Sequence, residues 1–216
     1  SFACMTGPGY GEIQGNRIDI IAGQDVQNPV GIVRLGNGEE RISADDYREI
    51  FKLQAELDAA SGWQVAEWQL HVGDCARASE CESAIPTTKK GNPIPGKFAY
   101  KGLGAVSLKI PLAALDFEDT DMEFNWGRDN RHKVLALHMD LVKLDANGKV
   151  IDEEGAWARV YKKEQDPDSA ECAFDGSQWG WYLRFDLAHA KSGQLIDAPV
   201  EGVNYESFTH DVVTGE

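Results

Sequence analysis

Apolar residues concentrate along Lys133–Leu144, and Asp145-Ala146-Asn147-Gly148 then turns the chain back into Lys149–Asp152. A long strand closed by a turn of this kind is a hairpin, because Asn and Gly tolerate the backbone angles that a tight reversal needs. Gly36-Asn37-Gly38 carries the same signal between Val30–Leu35 and Glu39–Ile42, and predicts a second hairpin. Further strands are expected at Glu12–Ala22, Trp63–Val72, Ala105–Ile110, Met122–Trp126, Trp157–Lys162 and Trp179–Leu187, with a short last one at Val212-Val213. Nothing alternates strand with helix as a parallel sheet would require. The expected fold is therefore all-β, an antiparallel β-sandwich or jelly roll, formed as a single domain over residues 1–216 with at most one or two short helices.

One segment reads both ways. Tyr47, Ile50, Leu53, Leu57 and Ala60 lie on one helical stripe, Ser43 stands three residues before Asp46 as a helix cap would, and Gly62 would stop the helix. Phe51, Leu53, Ala55 and Leu57 also alternate, as in a strand. Composition favours helix, so a helix is predicted over Ala44–Ala60. Gly73–Gly104 reads as a long loop with Pro86, Pro93 and Pro95, of the sort that is often functional or pinned by disulfides.

The net charge of −15 narrows the partners. So acidic a surface repels phosphate backbones and anionic lipid, which argues against nucleic acid but leaves neutral sugars and cations open. No apolar run approaches the roughly 20 residues of a membrane-spanning helix. The four cysteines, Cys4, Cys75, Cys81 and Cys172, sit in polar, loop-like surroundings. They are expected to form two disulfides, with Cys75 and Cys81 closing a small loop and Cys4 tied to Cys172. Such pairing implies a chain outside the cytoplasm, extracellular or periplasmic; four reduced thiols in a cytosolic protein are the alternative.

Three constellations could carry function. Six tryptophans include Trp179 and Trp181 at alternate positions of one expected strand, sharing its apolar face with Leu183, Phe185 and Leu187. Trp126, next to Arg128 and Asp129, reads instead as a rim group, and an indole on a polar rim suits the C–H face of a sugar ring. Asp116, Glu118, Asp119 and Asp121 put four carboxylates in one short loop, a donor set that could hold calcium. Among the histidines, His138 shares a strand face with Asp140, and His71 with Gln69. With Tyr100 as acid and Arg128 as clamp, Gln69 and His71 could serve proton abstraction from an acidic sugar.

Two resemblances follow from these residues. Gln69-Leu70-His71 resembles the Gln-Ile-His strand of jelly-roll alginate lyases, although Lys52, Gln54 and Glu56 stand where that family's Arg-Glu-Arg strand would be. Ala105–Asp121, with its Lys-Ile-Pro-Leu passage and acidic turn, resembles accessory β-sandwiches of secreted carbohydrate-active enzymes, such as the C-terminal sandwich of family 3 exo-β-glucanases. The second resemblance spans about Trp63–Leu144 and implies a secreted, sugar-associated module. The expected function is a non-catalytic extracytoplasmic carbohydrate-binding module for polysaccharide or oligosaccharide, with Trp126, Arg128, Tyr100, His71 and Gln69 as ligand contacts. The alternatives are a self-associating structural protein of a surface, filament or virion, and a jelly-roll polysaccharide lyase.

Overall fold

In the computed structural model of the protein, the described residues are 5–6, 18–43, 46–74, 81–115, 132–160, 172–187 and 196–197. They carry eleven strands: β1 (Met5–Thr6), β2 (Ile18–Ala22), β3 (Gly31–Arg41), β4 (Tyr47–Leu57), β5 (Gln64–Asp74), β6 (Tyr100–Leu103), β7 (Ser107–Pro111), β8 (His132–Leu144), β9 (Val150–Val160), β10 (Leu183–Asp186) and β11 (Ile196–Asp197). All join one sheet. From margin to margin it runs β6-β5-β8-β9-β2-β3-β4-β7, with β10 and β1 flanking the start of β8 and β11 beside β3. Every pairing is antiparallel except β1 with β10. The all-β, antiparallel expectation holds, in the form of one sheet curled into a half-barrel.

Chain connectivity forces the curl. Eight strands at about 4.8 Å spacing would hold β6 and β7 about 34 Å apart in a flat sheet. Yet β6 ends at Leu103 and β7 starts at Ser107, four Cα steps that reach only about 15 Å. The margins must therefore come together. Gly104, at φ +68°, makes the bend between them. Its N–H donates to Ala66 C=O of the β5 strand, and two residues on Val106 C=O accepts from Ala55 N–H of β4. One short segment thus changes partner from one end of the sheet to the other.

Alternation fills the inside of the curl. Ile18 and Ile20 of β2, Val33 and Leu35 of β3, Phe51 and Leu53 of β4, and Trp68, Leu70 and Val72 of β5 meet Leu135, Leu137, Met139 and Leu141 of β8 in one buried cluster. Each such side chain contributes roughly 1.5–3 kcal/mol when withdrawn from water. Lys133 is fully buried on this same inner face. Its ammonium pairs with Asp74, directly opposite on β5, and donates to Leu115 C=O at 2.6 Å.

The outer face of β8 is buried too. Val134 and Ala136, with Ile21 and Trp157, are covered by Cys81, Ile85, Phe98, Phe174 and Trp181. The long loop predicted at Gly73–Gly104 forms much of this cover. It carries two 3-10 turns, Glu82–Ala84 and Pro95–Lys97, before entering β6. It is fastened to the segment 172–182: Gln178 N–H donates to Asn92 Oδ1 at 2.9 Å and Asp175 N–H to Glu82 Oε1 at 3.3 Å.

The structure corrects four local expectations. Ala44–Ala60 is not a helix: β4 occupies Tyr47–Leu57 in unbroken register with β3, so Ile50 and Leu53 face opposite sides and the helical stripe is split between them. Pairing and burial override helix propensity, which is a weak local preference. Gly36-Asn37-Gly38 lies inside β3, and the reversal falls later, where Ile42 N–H donates to Asp46 C=O at 2.9 Å. Lys149–Asp152 and Trp157–Lys162 are not separate strands, since β9 runs through Val150–Val160. Trp179–Leu187 narrows to Leu183–Asp186. There Leu183, Phe185 and Leu187 pack inward while Trp179 and Trp181 join the outer cover, so the indoles do not share the face of Leu183. The hairpin at Asp145–Gly148 forms as expected, with Gly148 at φ +77° donating its N–H to Asp145 C=O at 3.0 Å.

Removing an ion-pair partner of a buried ammonium is costly, so Asp74→Ala should lower unfolding free energy by about 3 kcal/mol. Adding Lys133→Met should recover most of the loss. Urea denaturation of the two variants measures both.

Candidate functional site

The cover does not reach the whole outer face. Where it stops, side chains of β5, β6, β8 and β9 form a polar shelf in two cross-strand rows. Lys101, Gln69, His138 and Trp157 are mutually opposed in one row, and Leu103, Glu67, Asp140 and Gly155 in the next.

The centre of the shelf is a hydrogen-bonded chain. Gln69 is buried to 6% exposure, while Asp140 is exposed. The Gln69 amide nitrogen reaches Asp140 Oδ2 at 3.5 Å, and its carbonyl oxygen lies 2.7 Å from His138 Nδ1. A carboxylate can only accept, so it orients the amide. The amide oxygen then assigns the proton to Nδ1. Nε2 is left with its lone pair. The imidazole is braced by the Trp157 ring, with centroids 4.8 Å apart. Burial holds His138 below the usual histidine range, against the opposing pull of Asp140 and Glu67.

Gly155 matters because of what it lacks. A Cβ there would sit 3.4 Å from His138 Nε2 and 3.9 Å from Cζ2 of Trp179. Bare backbone therefore floors a narrow notch, with room for about one carbon between the His138 imidazole and the Trp179 indole. Trp179 is half-buried and leans on Trp181 with ring centroids 5.6 Å apart, tilted by 59°. The two indoles are not coplanar. Trp181 is buried, and Arg159 lies over it at 5.5 Å.

The other expected site residues divide. His71 shares the outer face with Gln69 but serves the cover. Its Nε2 donates to Ala84 C=O at 2.9 Å, its ring faces Phe98 at 5.8 Å, and its Nδ1 is buried with no hydrogen-bond partner among the described residues. Burial holds this histidine, too, below its usual range. Tyr100 stands opposite Leu70 and packs against the inner core, so the sheet separates it from Gln69 and His71. Burial pushes its hydroxyl up. The described residues therefore do not assemble the Gln-His-Tyr groove of a lyase. Trp126, Arg128, Asp116, Glu118, Asp119 and Asp121 lie outside the described residues, as do Cys4 and Cys75. Among the described residues, no group of three or more His, Cys, Asp or Glu side chains is placed to hold a metal ion. No helix among them is long and apolar enough to cross a membrane. Among the described residues, no cysteine is a free thiol.

The sequence reading missed Gly155, Trp157 and the link between Gln69 and His138. The i, i+2 pairs Gln69/His71 and His138/Asp140 were the available signal; the register that joins them was not. No known protein family, curated protein or solved structure matches the chain.

Both histidines favour the neutral form when folded, so the unfolded chain binds more protons below its ordinary histidine value of about 6.5. Their contribution to stability is complete above that value and is lost as pH falls through the lower folded values. Thermal unfolding between about pH 7.5 and 5.5 should show a falling Tm. The His71→Gln, His138→Gln double variant should flatten the slope.

Proposed function

We propose that this chain is a non-catalytic carbohydrate-binding domain, with the outer-face shelf as its contact surface. The observation that carries the reading is the notch over Gly155, where a half-exposed indole faces an imidazole acceptor held by Gln69 and Asp140. Sugars present apolar C–H faces and a rim of hydroxyls. Trp179 suits the first, and His138 Nε2, Asp140, Glu67 and Lys101 suit the second. A glycine floor lets a ring approach the backbone. The charge of −15 argues for a neutral glycan over a polyuronate.

Trp126 and Arg128 belong to this reading on sequence grounds alone. That neither Cys81 nor Cys172 is a free thiol favours disulfides and an oxidising, extracytoplasmic compartment, with Cys75–Cys81 and Cys4–Cys172 as the proposed pairing.

A glycan array on the intact chain, followed by calorimetry on any neutral hit, tests the proposal. Trp179→Ala should weaken binding roughly 30-fold, the effect of losing an aromatic anchor worth about 2 kcal/mol. Gly155→Val, which fills the notch, should do at least as much harm. An array blank for the wild type, or affinity untouched by both changes, sinks the reading.

A further inference from the structure

One length of strand edge is exposed at every residue. β9 pairs with β8 along Val150–Trp157, but with β2 only over Ala156–Val160. The last bond on the β2 side joins Gly23 N–H to Gly155 C=O at 2.9 Å. There Gly23, at φ +59°, turns the chain away. Val150–Glu154 is left with β8 along one edge and, among the described residues, no strand along the other. All five of its residues are exposed, Val150 at 41% and Ile151 at 63%. Ile151 sits at the irregularity where β9 slips against Leu144, and it has no cross-strand partner. Asp152, Glu153 and Glu154 follow. Asp152 accepts from Glu153 N–H at 3.1 Å and lies 3.8 Å from Lys143 Nζ, and Glu154 accepts from Gly155 N–H at 3.2 Å. These are exposed local contacts that an incoming strand would have to replace. Asp25 lies exposed in the turn just past Gly23.

We propose that the open edge of Val150–Glu154 is a strand-addition site for an extended, basic segment of a partner protein. Such docking draws affinity from main-chain hydrogen bonds and specificity from alternate side chains. Val150 and Ile151 supply the apolar anchors. Asp152, Glu153 and Glu154, on a chain of net charge −15, select lysine and arginine. A second copy of this chain would set three consecutive acids against their own kind, so the same charges that guard the edge from self-pairing define the partner that can pair.

The test uses the intact chain and two short proline-free peptides of alternating valine and charged residues, one with lysine and one with glutamate. The lysine peptide should bind saturably, more weakly as salt rises, and should slow amide exchange at Val150–Glu154. Glu153→Lys with Glu154→Lys, both exposed and in no salt bridge among the described residues, should leave the thermal unfolding profile in place. The pair should cost the lysine peptide at least about tenfold in affinity, or about 1.4 kcal/mol. Three results overturn the proposal: no saturable binding of the lysine peptide, binding indifferent to charge reversal, or exchange protection at this edge that grows with protein concentration and marks self-pairing.

Discussion

β8 is hydrogen-bonded along both edges and buried on both faces, and the rest of the molecule is arranged around that fact. Its odd-numbered residues from Leu135 to Leu141 build the inner core, and its even-numbered Val134 and Ala136 build a second core outside. A strand so enclosed cannot be served by one curled sheet alone. The outer face needs its own roof, and the loop 81–98 and the segment 172–182 supply it. The shelf exists because that roof is shorter than the strand it covers. His138 and Asp140 continue the even-numbered face past the end of the cover, so the residues that would be core one turn earlier become available to a ligand.

Burial on both faces also explains how polar side chains come to lie so deep. Lys133 takes an inner position and needs Asp74 and Leu115 C=O around its ammonium. Gln69 takes an outer position and is satisfied from both sides by Asp140 and His138. A buried polar group without such partners costs a few kcal/mol. Each of these residues is therefore surrounded by the groups its chemistry demands, and the shelf inherits its fixed tautomer from that requirement.

Period-two patterning was legible wherever one face of a strand is buried. It gave the all-β class, the Asp145–Gly148 turn and the inward set Trp68, Leu70 and Val72. It misled where a local signal competed with pairing far along the chain. Gly36-Asn37-Gly38 has turn chemistry, and Tyr47–Ala60 has a helical stripe. Both are overruled by the long β3–β4 ladder, which no short window contains. The site shows the same limit. Gln69 and His71 were visible as neighbours on one strand, but their destinations differ. Gln69 belongs to His138 across 69 positions, and His71 to the roof at Ala84. Tyr100 fell to the wrong side because its face depends on the register of β6 against Leu70. Gly155 carries no side chain to notice, and its meaning is entirely in what surrounds it.

The bend at Gly104 has a mechanical consequence. Among the described residues, one thread ties the two margins of the sheet: β6 grips β5, β7 grips β4, and three residues connect the grips. Neither margin strand can be drawn off without loading the other. The half-barrel should resist peeling from its rim, the usual weak point of an open sheet, and should yield instead as a unit. In folding, the same thread can seat only after both β5 and β4 have found their places, so its docking acts as a late check that the whole sheet has curled correctly.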